Sequence, residues 1–294
     1  MKEKKNGFLV IIITYSLALA LALITATIFN FLHPFLIVLI ADLIGTMVVY
    51  LISTFYDNAS LYDPYWSVAP IIIALYFFIR NPLEGILARK IILLSLTCIW
   101  GFRLTWNWAS NWKGLTHEDW RYRMYRENNV NMFWLINLFG IQLMPTFLVY
   151  LGCLSLFPTL CYECSLFNLI DVIAISITGS AIIIESVADK QLRNFINTRE
   201  SYQKIMKEGL WKYSRHPNYF GEITFWWGIY LFALASNLAF WWTIIGPIAI
   251  TILFNFVSIP LMDNRNLKRR PNYKEHIEKT SKLIFWFSKG VCLF

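Results

Sequence analysis

Between residues 210 and 227 the chain reads LWKYSRHPNYFGEITFWW, where Arg215, His216, Asn218, Tyr219 and Glu222 crowd against the start of an apolar segment. A guanidinium, an imidazole, a carboxamide, a phenol and a carboxylate so close together can all meet one polar ligand. Such groups at the edge of lipid are costly unless paired or used, so the run points to a binding site. The competing reading is that Arg215 and His216 only anchor a helix end.

Other segments have the same character. In AIIIESVADKQLRNFINTRESYQKI, residues 181 to 205, Glu185, Asp189 and Arg193 recur every fourth residue and share one helix face. They form either a surface ion-pair ladder or a set in which the carboxylates bind sugar or amide groups and Arg193 meets phosphate. In WGFRLTWNWASNWKGLTHEDWRYRMYR, residues 100 to 126, the Trp and Tyr residues are ordinary for a membrane interface. Arg103 is more telling, since it lies inside an apolar stretch, where it needs a partner such as Asp or phosphate. In SLYDPYWSVAP, Asp63 and Pro64 read as the cap and first residue of a helix, with Tyr65 placed to offer a proton in a cavity between helices. The tail from residue 261 carries eight Lys or Arg together with Tyr273, His276 and the apolar group 283 to 287. It suits docking on a membrane surface, and Arg265, at the exit of the last apolar stretch, is its best candidate for a cofactor contact.

The elements that must position these residues are membrane helices. Of the 294 residues 57% are hydrophobic and 15% charged, and the mean hydropathy is +0.50, too apolar for an ordinary soluble domain. Stretches long enough to cross a bilayer fall near 8–30, 35–55, 88–109, 133–152, 168–187, 219–236 and 238–259, and a shorter one at 66–79 makes eight. The expected fold is all-α, a polytopic bundle of seven or eight spans. The N-terminus, loops 110–132 and 188–218 and the tail from 261 hold 22 of the 26 Lys and Arg residues, which predicts a multi-pass protein with both termini cytoplasmic. Arg80, Arg89 and Lys90 are the exception, lying in a loop this topology puts outside. The first stretch reads as a retained helix, residues 1–32, rather than a signal peptide, followed by a single membrane domain over 33–294.

Several chemistries are disfavoured. There is no G-x-G-x-x-G fingerprint and no P-loop, so a nucleotide would have to be held by side chains on helices. His33, His117, His216 and His276 lack a metal-binding spacing. Cys161 and Cys164 form a C-x-x-C pair with no second pair or nearby His, and read as packing thiols or a disulfide. The net charge of +8 borders apolar spans, which points to anionic lipid and an anionic cofactor rather than to nucleic acid.

SRHPNYFGE resembles the C-terminal signature of the steroid 5-alpha-reductase-like membrane proteins. Together with WGFRL, HEDWRYRMYR and DPYWS it resembles the branch known as DUF1295, over roughly residues 40 to 290. The resemblance implies a helical bundle, commonly of seven spans, that holds NADPH at its cytoplasmic side and reduces an activated carbon-carbon double bond in a lipid-like substrate. By motif position it carries a cofactor role to Arg215, His216, Asn218, Tyr219 and Glu222, and more loosely to Glu185, Asp189, Arg193, Tyr202 and Arg265. Steroid reductases polarise the enone carbonyl with an acidic residue and a Tyr a few residues before an Arg, where this chain has Trp100 ahead of Arg103. An indole N–H donates a hydrogen bond but does not readily transfer a proton.

The chemistry implied is that of a 3-oxo-5-alpha-steroid 4-dehydrogenase-like oxidoreductase. NADPH carries the hydride, and the protein supplies position and a donor for the carbonyl oxygen. The expected roles are Tyr65 as that donor, Asp63 as its orienter, and the 215–222 cluster with Arg103 as the cofactor clamp. RHPNY-x-G also resembles isoprenylcysteine methyltransferases, which use S-adenosylmethionine, while Glu222 and the HEDWRY segment favour the reductase. A lipid binder without a cofactor is a third reading, and the intact polar motif argues against it.

Overall fold

The computed structural model describes residues 2–81, 86–162 and 165–287. The chain is 81% helical with no strand among these residues, so the fold is all-α. It divides into two compact units, Met1–Cys164 and Ser165–Phe294.

The first unit opens with α1 (Lys2–Ile28) and α2 (Pro34–Phe55), which pack along each other. Pro34 starts α2 because its missing N–H is not needed in the first turn, and the His33 imidazole accepts from the Phe35 N–H at 3.3 Å. After α2, Asp57 takes φ 50° and Asn58 caps a short 3₁₀ turn, Ala59–Tyr62, that leads into α3 (Tyr65–Arg80). The cap of α3 is Pro64, one residue later than the sequence suggests, and Asp63 ends the 3₁₀ turn instead. Next come α4 (Leu87–Asn111), packed on α3, the short α5 (Trp120–Asn128), and a long helix α6 (Val130–Cys161) containing a π-helical stretch over Ile136–Leu143.

The HEDWRYRMYR segment is not a free loop. Glu118 accepts from the Ala59 N–H at 2.8 Å and pairs with Arg126 at 2.8 Å, while Arg126 also pairs with Asp57. Tyr122 donates to Asp63 at 2.7 Å. Burial, and then the Asp63 charge, hold the Tyr122 phenol above its ordinary range, so it stays a donor. These bonds fasten the turn that delivers Tyr65.

In the second unit α7 (Leu169–Thr198) starts on a capping box in which Asn168 and Asp171 satisfy each other's backbone. Its 30 residues extend about 45 Å, more than the roughly 30 Å of a hydrocarbon core, so one end projects from the bilayer. Helix α8 (Pro217–Ser236) crosses it closely. A Cβ on Gly221 would meet the Glu185 Cβ at 2.7 Å and the Ala181 carbonyl oxygen at 3.0 Å, so the glycine in RHPNYFGE sets the helix spacing. Helix α9 (Leu238–Arg269) and the short α10 (Tyr273–Lys279) follow. The chain then folds back over the start of the motif, with Arg215 N–H donating to the Ser281 carbonyl at 2.9 Å and Trp286 N–H to that of Tyr213 at 3.2 Å.

Among the described residues six helices are long and apolar enough to cross a membrane: Lys4–Ile28, Pro34–Phe55, Ala59–Arg80, Val130–Cys161, Leu169–Thr198 and Leu238–Arg269. This makes a multi-pass membrane protein. The short stretch at 66–79 reaches full length because the 3₁₀ turn continues it back to Ala59. The stretches at 88–109 and 219–236 are also helical, as α4 and α8, but their Trp, Tyr, Asn and charged residues leave them less apolar than the six. Arg89 and Lys90 are fully buried in α4, and Lys90 donates to the Asn81 carbonyl. They are charges packed into a helix rather than loop charges. Cys98 and Cys153 are free thiols and Cys161 is buried, whereas Cys164 and Cys292 lie outside the described residues.

Candidate functional site

Each unit carries a polar cluster. In the first, Tyr65 at the start of α3 donates its hydroxyl to Asp42 Oδ1 at 2.9 Å and approaches the Asp42 carbonyl oxygen at 3.1 Å. Both side chains are buried, and Asp42 Oδ2 has no hydrogen-bond partner. They line a cavity of about 370 Å³ between α1, α2 and α3 whose walls are otherwise almost wholly apolar. One turn along α2 from Asp42 lies Gly45, and a Cβ there would fall on the Tyr65 hydroxyl. The pair exists because position 45 has no side chain.

The expected pairing of Tyr65 with Asp63 does not form. Residues two apart at a helix start point in different directions, and Asp63 is taken by Tyr122 at 2.7 Å. The rings of Tyr15 and Tyr62 pack on Tyr65 at 5.9 and 5.4 Å and hold it in place. Trp100 is fully buried and meets Trp66 edge to face at 6.3 Å.

In the second unit Asp263 of α9 gathers the motif. Its carboxylate pairs with Arg215 Nη1 at 2.6 Å, lies 3.0 Å from His216 Nε2 and accepts from the Tyr273 hydroxyl at 2.8 Å. Tyr219 stacks on the His216 ring at 5.3 Å, and Glu222 accepts from the Trp226 indole at 2.9 Å one turn on. Arg215 Nε and Asn218 Oδ1 are buried without a partner. On α7 Glu185 is buried beside Gly221, while Asp189 and Arg193 continue the same face and are half-buried. Tyr202 is exposed under the Arg199 guanidinium, which lies 4.5 Å from its ring, and Arg265 is half-buried on α9. Arg103 belongs to the first unit and all the other cofactor candidates to the second.

A polar cavity of about 870 Å³ in this unit is lined by Arg199, Lys204 and Lys207 together with Gln191, Asn194 and Ser201. Lys207 and Arg215 both act on His276. Burial first, then these cations, push that imidazole down to about 4, so it is neutral at physiological pH, with Nδ1 3.1 Å from the Thr280 hydroxyl. Burial, and then Asp263, hold the Tyr273 phenol above its ordinary range, which keeps it a donor to that carboxylate.

A family profile described as "Protein of unknown function (DUF1295)" matches residues 49–280, and the chain belongs to that family. An uncharacterized protein of Schizosaccharomyces pombe is 25% identical to it over 276 residues, covering 86% of this chain and 80% of the relative. No solved structure matches it. The family match begins after Asp42 and Gly45 and includes Tyr65, Arg215 and Asp263.

Proposed function

We propose that the protein is a membrane-embedded, NADPH-dependent reductase of an activated carbon-carbon double bond in a lipid substrate. The observation that supports this most is the Asp42–Tyr65 pair, a carboxyl and a phenol buried together at an apolar cavity. When Asp42 carries a proton on Oδ2, Oδ1 accepts from Tyr65 and Oδ2 becomes a donor to a carbonyl oxygen in the cavity. A donor held by buried neighbours in a site without water stabilises charge growing on that oxygen. NADPH, when bound, supplies the hydride for the β carbon of the substrate.

The second unit fits such a cofactor. Arg215 Nε and Asn218 Oδ1 are a buried donor and acceptor without partners, and Arg193, Arg265 and Tyr202, with the cations of the polar cavity, suit phosphate oxygens and sugar hydroxyls. Asn218→Ala is expected to weaken NADPH by about 0.5–1.5 kcal/mol, the worth of a hydrogen bond accepted by Oδ1 from a neutral sugar hydroxyl or amide. Titration of the purified protein with NADPH and NADH checks this. Equal affinity of Asn218→Ala and the parent removes the cofactor assignment, and competition by adenosylhomocysteine in place of NADPH moves it to methyl transfer.

In this reading both termini and the loops 110–132 and 188–218 face the cytoplasm. Cysteines introduced singly at Lys5, Trp120, Ile205 and Glu275, in a background without native cysteines, are expected to react with an impermeant reagent from one side only. Labelling of position 120 from the opposite side to the other three overturns the arrangement.

A further inference from the structure

We infer that the cavity of the first unit takes a single extended lipid chain, entering sideways from the bilayer, with an unsaturated carbonyl head at Asp42 and Tyr65. This deepens the reductase reading and rests on it for the identity of the head group.

Tyr15, Asp42 and Tyr65 lie at one level, since Tyr65 bonds Asp42 and its ring packs on that of Tyr15. From that level the lining continues along α1 to Ala26 and along α3 to Tyr76, eleven residues on each helix. Eleven residues of α-helix rise about 16 Å. A cavity of about 370 Å³ drawn out over that length is elongated, the shape of an extended chain rather than of a compact ring system. Small residues create the space, with Ala18, Ala22 and Ala26 forming the α1 wall.

The chemistry of the walls gives the orientation. Beyond the polar level they offer hydrocarbon, and the Tyr76 hydroxyl at the far end is already engaged by Arg80 at 2.6 Å. Tyr15 spends its own hydroxyl on the Leu61 carbonyl at 3.0 Å. Asp42 Oδ2 is left as the buried polar atom that a ligand oxygen can meet, so the oxygen-bearing head lies there and the tail runs towards Ala26. The lip of the slot, Ile12, Leu19 and Leu23, is exposed and apolar along α1, a surface that in a membrane meets lipid chains. A lipid therefore reaches the slot without crossing water.

The test is photolabelling of the full-length protein in lipid nanodiscs with a linear α,β-unsaturated ketone that carries a diazirine at its tail. No turnover is required. Label is expected on α1 between Ala18 and Ala26 or on the facing end of α3, and unlabelled linear ketone should compete while a fused-ring enone should not. Ala22→Phe, which fills the slot, is expected to reduce labelling about ten-fold or more. Ile24→Phe, on the part of α1 that does not line the slot, should leave it unchanged and reports that a bulky residue on α1 is tolerated. Equal competition by the fused-ring enone, or undiminished labelling in Ala22→Phe, overturns the inference. Labelling as expected without any NADPH oxidation would count against the reductase reading and leave the slot standing.

Discussion

Replacing Asp263 by Ala is expected to destabilise the second unit by about 3–5 kcal/mol, the usual cost of stranding one partner of a buried ion pair. Arg215 is 7% exposed and would keep its charge without a counterion, while His216 and Tyr273 would lose a shared acceptor. The carboxylate joins three segments: the RHPNY run, α9 and the start of α10. Its loss should therefore free α10 and the returning segment over residues 281–287 as well. Asp263→Asn retains the shape and one acceptor, so it should fall between Ala and the parent. The double replacement Arg215→Met with Asp263→Leu should recover much of the loss, because no charge remains buried. Thermal unfolding in detergent, with amide exchange over residues 273–287, checks all three. An Asp263→Ala protein that melts with the parent, with its tail equally protected, would show that this ion pair does not hold the tail.

Asp42→Leu, which removes the donor, and Tyr65→Phe, which removes the hydroxyl that orients it, are each expected to lower turnover of an enone by about 10² to 10³ while leaving NADPH affinity unchanged. Tyr65→Phe removes only the hydroxyl and keeps the ring packed between Tyr15 and Tyr62. Gly45→Ala makes a stricter comparison. It retains the phenol and the carboxyl but puts a methyl group where the hydroxyl lies, so it should reproduce the loss seen in Tyr65→Phe. Trp100→Phe, at a fully buried packing position, should alter stability more than chemistry. Single-turnover hydride transfer separates these effects. Unchanged chemistry in both Asp42→Leu and Tyr65→Phe with a large loss in Trp100→Phe would take the donor role from the Asp42–Tyr65 pair and give it to the indole.

The membrane helices are legible in the sequence because each is a long apolar run, and hydropathy needs no partner to be read. Tyr65 is legible too, as a phenol beside a helix start, but its partner is not. Asp63 is the near choice along the chain, whereas the bond goes to Asp42 on the preceding helix. A signal for Asp42 exists, since a lone carboxylate inside the apolar run 34–55 calls for the same question that Arg103 raises, namely what it pairs with. Asp263 lies in a tail read for its basic charge, and no spacing rule connects it with Arg215, 48 residues earlier. Gly45 and Gly221 act through contacts between helices, which a linear pattern does not contain. Arg89 and Lys90 count as loop charges only while their burial is unknown.

The missing side chain at Gly45 also divides the labour within the first unit. The donor pair is set by the register of α2 against α3, where a shift of either helix by one residue would drive a neighbour such as Ile44 or Thr46 into the phenol. Most of the cavity's length, by contrast, is walled by α1, which takes no part in the bond between Asp42 and Tyr65. Apart from Tyr15, whose ring packs on Tyr65, changes of shape on α1 can therefore accumulate without disturbing the reactive geometry, and the scaffold can be retuned to a new ligand one wall at a time.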